Sequence, residues 1–138
     1  MIHIETATDQ KAWDDFLSRQ TFRPFLQSWT MGAVEADIGE KPIRIVAQSE
    51  QGILGLAQCS LVPARRGRHL AVPYGPLGST AALPMLLEKL KEIAKQEGCS
   101  FVRISPFLSA EEAFEPAGSL PAPLHLLAEH IWYLPLNA

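Results

Sequence analysis

Cysteine is scarce in this chain of 138 residues. Only Cys59 and Cys99 occur, far apart, each in or beside an apolar run, and no CxxC pair is present. That excludes a disulfide framework, and a lone thiol in such a setting acts as a small hydrophobe. Uninterrupted apolar runs are short: none reaches 18 residues, so no segment is expected to span a membrane. The opening "MIHIETATD" has neither a basic stretch nor an apolar core, so no signal peptide is expected and the chain is read as cytoplasmic. Positive charge is not in surplus. The net charge of −3 supplies no global field for nucleic acid or an anionic membrane, leaving only a local patch to do so. A nucleophile elbow, a Ser-His-Asp order and a P-loop are all missing. So are internal repeats and low-complexity linkers.

What is present suits one globular domain over residues 1–138. Apolar residues make up 47% and charged residues 20%, enough to build a core. "IHI" reads as a first strand. Asp9 is a plausible N-cap for a helix that lines up Trp13, Phe16 and Leu17. "TFRP" is a break, and Gln27 or Ser28 opens a second helix that Gly39 stops. "KPIRIVAQSE", "ILGLAQCSLVPA" and "HLAVPY" are three strands joined by tight turns, hence antiparallel. Leu83, Leu86, Leu87, Leu90, Ile93 and Ala94 form the stripe of a long helix that ends before Gly98. "CSFVRISP" is a strand reached by a crossover, hence parallel to "HLAVPY". "SAEEAFEPAG" has the capping-box pattern of a short helix, with Ser109 and Glu112 three apart. "IWYLPL" reads as a final strand. The expected order is β-α-α-β-β-β-α-β-α-β, a mixed sheet with helices on both faces.

Candidate functional residues each admit a plainer reading. "HLAVPYGPLGST" runs from a strand through Pro73, Gly75, Pro76 and Gly78 into the long helix. It is either a ligand wall, with Tyr74 at its mouth and the Gly75 amide turned to the ligand, or a rigid corner set by two prolines. Gln27 and Trp29 are either site residues or a helix start followed by a core aromatic. Arg65, Arg66 and Arg68 form the only basic cluster. They are either phosphate contacts or a solvated hairpin tip. Arg103 points to the face opposite Val102 and Ile104. It either enters a cleft at the strand's carboxyl end or pairs with a helix carboxylate. In "HLLAEHIW", His125, Glu129 and His130 do not make up a ligand set at a recognisable spacing, so no metal is expected. Glu129 or His130 could serve as a general base, or be polar residues before an edge strand.

The element order resembles that of GNAT-type acyltransferases. Their loop before the long helix carries a Q/R-x-x-G-x-G/A motif whose amides hold the pyrophosphate of coenzyme A. Here no Gln or Arg opens Val72–Gly78, and Pro76 has no N–H, so no cofactor is expected. The blocks "FLQSWTMGAVEADIGEKPIRIVA", "GILGLAQCSLVP", "GRHLAVPYGPLG", "CSFVRISP" and "PAPLHLLAEHIWYLPL", in that order, resemble the first domain of the Fem family of peptidoglycan branching aminoacyltransferases. The resemblance implies a domain that binds a peptidoglycan precursor through Gln27, Trp29, Tyr74, Gly75 and Arg103. It implies aminoacyl-tRNA as a partner where a second domain is present. Glu35 stands where the family can carry a diphosphate-binding lysine, which puts that contact in doubt. It also implies that the terminal strand needs a further segment, so self-association through residues 131–136 is expected of the chain alone. A small GNAT N-acyltransferase and a non-catalytic binding module are the alternatives.

Overall fold

The computed structural model describes residues 1–65, 67–109, 111–112, 114–124, 126–128, 130–132 and 134–136. Its elements are β1 (His3–Thr6), α1 (Gln10–Ser18), a 3-10 turn (Phe25–Gln27), α2 (Trp29–Asp37), β2 (Ile43–Ser49), β3 (Gly52–Ala64), β4 (Gly67–Val72), β5 (Leu77–Gly78), α3 (Ala82–Gln96) and β6 (Phe101–Ile104). Local chemistry accounts for most of the boundaries. The Asp9 carboxylate accepts the Ala12 amide at 3.1 Å and starts α1. Ser28 does the same for α2 through the Met31 amide, also at 3.1 Å. α3 buries Leu83, Leu86, Leu90 and Ala94. On its outer side Lys91 pairs with Glu88 and Lys89 with Glu92, each worth only about 0.2–0.5 kcal/mol.

The sheet order is β1-β2-β3-β4-β6, with β5 pairing β3 off this path. β1 to β4 run antiparallel in succession. β6, reached through α3, lies parallel to β4 in the register His69↔Phe101 to Val72↔Ile104. Strand alternation sends successive side chains to opposite faces. Ile45, Ala47, Ala57, Cys59, Leu70 and Val72 pack under Leu86 and Leu90 of α3. Val46, Leu56 and Leu77 pack with Trp13, Phe16 and Leu17 of α1. The expected mixed sheet with helices on both faces is therefore what forms. No helix among the described residues is long and apolar enough to cross a membrane.

Three details depart from the expected order. The third strand stops at Val72, and Pro73 and Tyr74 belong to a turn. The chain then makes an extra two-residue strand, β5, against Gly55 and Leu56. Beyond Ile104 the described residues form neither the short helix nor the final strand. The Ser109–Glu112 signal survives only as one turn: the Ser109 amide donates to Glu112 Oε2 at 3.0 Å and the Glu112 amide to the Ser109 carbonyl at 3.1 Å. Pro116 forbids a second turn. At 131–136 the side chains of Ile131, Trp132, Leu134 and Leu136 are 46–98% exposed. β propensity without a neighbouring strand does not hold a strand together, and Pro135 takes away a donor.

Candidate functional site

The loop between β4 and α3 settles what its amides can do. Tyr74 adopts the left-handed region at φ 53, which costs a non-glycine residue about 1–2 kcal/mol. Its N–H donates to Ser105 Oγ at 3.1 Å. The Gly75 N–H donates to the Val72 carbonyl at 3.3 Å and that of Ser79 to Leu54 at 2.9 Å. At the start of α3 the amides of Ala82 and Leu83 both reach the Ser79 carbonyl at 3.0 Å, and Pro84 has none. Ala82 and Leu83 thus spend their donors on the chain itself, while the Thr80 and Ala81 amides have no acceptor among the described residues. The rigid-corner reading describes this loop, and the Gly75 amide is turned to Val72.

Behind the loop lies a buried polar brace. Gln27 has no exposed surface. Its Nε2 donates to the carbonyls of Gln58 at 3.0 Å and Pro73 at 2.7 Å, and its Oε1 accepts the Gln58 amide at 2.8 Å. One side chain thereby ties the 3-10 turn to β3 and to the loop. Trp13 Nε1 donates to the Gln27 carbonyl at 2.9 Å. A Cβ on Gly75 would sit 2.8 Å from Gln27 Cδ, so only glycine permits this approach. Gln58 continues the brace: its Nε2 donates to the carbonyls of Leu26 and Ser28, and its Oε1 accepts from Arg44 Nε at 2.8 Å. The Arg44 guanidinium reaches the Trp29 carbonyl at 3.0 Å and lies 4.0 Å from the Trp29 ring centroid. Burial pulls it below the ordinary arginine range, with Glu35 opposing the shift. Trp29 in turn meets Trp13 edge-on at 5.9 Å.

In front of the loop is a cleft of about 440 Å³ lined by Phe22, Arg23, Pro24, Phe25, Tyr74, Phe107, Ala128, His130, Ile131 and Trp132. It opens at the carboxyl ends of the parallel pair: Tyr74 lies two residues past β4 and Ser105 directly past β6. Ligands of open α/β sheets bind at such ends. The rings interlock edge to face, Tyr74 with Phe107 at 5.3 Å and Phe22 with Phe107 at 5.8 Å. Ser105 holds Tyr74 in a conformation that presents its ring there.

The residues singled out from sequence are dispersed. Tyr74 lines the cleft. Gln27 and Gly75 lie behind it as brace and close-packed partner, and the Gln27 amide has both donors occupied. Trp29 is half-buried under Arg44. Arg103, half-buried on β6, donates to the Leu124 carbonyl rather than to a helix carboxylate. Arg65 lies in the β3–β4 turn and Arg68 in the opening residues of β4, at the other end of that strand and roughly 20 Å away along six residues. Arg68 pairs there with Glu97 at 3.4 Å. Arg66, His125 and Glu129 lie outside the described residues. Glu35 accepts from Ser60 Oγ at 3.0 Å. Among the described residues no group of three His, Cys, Asp or Glu is placed to hold a metal. The sequence reading passed over Phe22, Arg23, Phe25 and Phe107. Two aromatics and an arginine packed into "FRPF" beside a proline were the available signal.

No protein-family model matches the chain, and no curated protein matches it in sequence. Solved structures match its fold. A transcriptional regulator from Bacillus halodurans C-125 superposes with a TM-score of 0.59 at 15% identity, over 84% of this chain and 99% of its own. FemX superposes with a TM-score of 0.59 at 23% identity over 70% of this chain, which spans only 25% of FemX. A GNAT family acetyltransferase from Staphylococcus aureus gives 0.51 at 13% identity over 83% of this chain and 97% of its own. The chain has a GNAT-like fold: one six-stranded mixed sheet with helices on both faces.

Proposed function

We propose that the chain is the precursor-binding domain of a tRNA-dependent aminoacyltransferase that extends the peptidoglycan stem peptide. The observation that carries this reading is the aromatic cleft at the carboxyl ends of β4 and β6, beside a loop interrupted by Pro76 and Pro84 whose Gly75, Ser79, Ala82 and Leu83 amides are already bonded. A GNAT-like fold implies coenzyme A, and the residues here do not fit its pyrophosphate. The Gly75, Ser79, Ala82 and Leu83 amides have internal acceptors, and Pro76 and Pro84 have no N–H. The similarity to FemX supports the same choice. In this reaction a stem-peptide amine attacks the carbonyl of an aminoacyl ester and the tRNA hydroxyl leaves. The domain contributes by holding the amine-bearing precursor in place, since positioning alone removes several kcal/mol from such a barrier. Aminoacyl-tRNA would engage a partner domain.

A small N-acyltransferase is the second reading. It is supported by the fold, which this chain shares with an acetyltransferase from Trypanosoma brucei at a TM-score of 0.57 and 13% identity. A non-catalytic binding module would use the same cleft without the transfer. Two titrations separate the readings. A muropeptide added to isotope-labelled protein should shift the resonances of Tyr74 and Phe107 first; shifts confined to 65–69 would reduce the contact to surface electrostatics. Acetyl-CoA should give no calorimetric signal. A micromolar affinity, about −8 kcal/mol, would turn the assignment to the acetyltransferase.

A further inference from the structure

The cleft has a charge as well as a shape. Arg23 stands in its wall, exposed, and makes no ion pair among the described residues. No aspartate or glutamate is found among the described lining residues, although the chain as a whole carries a net charge of −3. The same cleft is lined by the rings of Phe22, Phe25, Tyr74 and Phe107. A planar cation at the rim of an aromatic wall pairs bidentately with a carboxylate, sulfonate or phosphate while the rings take an apolar body. A cationic ligand would meet Arg23 with no compensating carboxylate among the described lining residues. From this charge complementarity we infer that the cleft binds an anion carried directly on an aromatic or alkyl group, with Arg23 as the partner of the anion and Phe25 as part of the apolar wall. The inference rests on the reading that this cleft is the ligand site of the proposed function, and it adds the chemical class of the group that enters.

A matched series tests it: 2-naphthalenesulfonate, neutral 2-naphthalenemethanol and cationic 2-naphthylmethylammonium, titrated calorimetrically into the whole chain. The sulfonate should bind about tenfold more tightly than the neutral compound, and the ammonium least. Arg23→Gln should remove the tenfold preference and leave the neutral compound unchanged. Phe25→Ala should weaken all three several-fold. Both side chains are exposed, so circular dichroism of the variants should match the parent. Added salt should weaken the sulfonate only. Equal affinity across the three charges, a preference for the ammonium, or a preference that survives Arg23→Gln would overturn the inference. If a muropeptide binds and the sulfonate does not, the anionic class is overturned while the proposed function stands. If the sulfonate binds as described but a muropeptide neither binds nor displaces it, the anionic class stands and the precursor reading is the one that fails.

Discussion

At the scale of single residues, Gln27 has the largest predicted effect. Gln27→Leu keeps much of the volume and orphans the Gln58 N–H and the carbonyls of Gln58 and Pro73. Each unsatisfied buried group costs about 1–3 kcal/mol, so the unfolding free energy should fall by roughly 3 kcal/mol or more. Urea denaturation should show a clear drop in midpoint, and an unchanged midpoint would mean that the brace contributes nothing. Cys59 behaves oppositely to a reactive thiol. Burial pushes it up from 9.0 to about 12, with Glu35 adding to the shift. The folded state therefore keeps a proton that the unfolded chain releases. Stability is unaffected by this group below about pH 9 and falls as pH rises from there toward 12, by up to about 1.4 kcal/mol per pH unit. Alkylation at pH 8 should modify the half-buried Cys99 and leave Cys59 until the protein unfolds; equal rates at the two thiols would contradict its burial.

At the scale of elements, α2 is weakly packed. Only Gly32 of its nine residues is buried, while Val34 is 46% exposed and the capping residue Ile38 just past the helix 73%. Polar tethers hold it instead: the Ser28 cap, the Gln58 bonds to Leu26 and Ser28, and Arg44 on the Trp29 carbonyl. α3 is held by a buried leucine stripe. Hydrogen exchange should thus open α2 well before α3. Arg44→Ala should accelerate exchange in α2 further while leaving the α3 amides protected. Parallel loss of protection in both helices would show that the tethers act globally.

At the scale of the whole molecule, the sheet ends at β6 with no further strand among the described residues, and Phe101 there is 47% exposed. Beyond it, Leu120, Leu124, Leu126, Leu134 and Leu136 are 64–90% exposed. Open edges and unpaired apolar segments recruit other chains. We therefore propose that the isolated chain self-associates, by pairing along β6 or through residues 131–136. Light scattering over a concentration series should give a rising apparent mass. A monomer at all concentrations would show that the edge is protected.

Elements whose causes lie within a few residues were legible from the sequence. α3 followed from its 3.6-residue stripe, α1 and α2 from Asp9 and Ser28, and the antiparallel strands from their short turns, so the layered fold was readable too. The brace was not. Gln27 meets Gln58 across 31 residues and Pro73 across 46, and no local pattern records which of several glutamines the folded sheet will bury. The cleft joins a loop at 22–25, the turn after β4 and the chain after β6, which only the sheet brings together. The last strand, which the described residues do not form, has the same cause. "IWYLPL" carries the propensity, but a strand needs a neighbour with free donors and acceptors, and only the tertiary structure decides whether one is within reach.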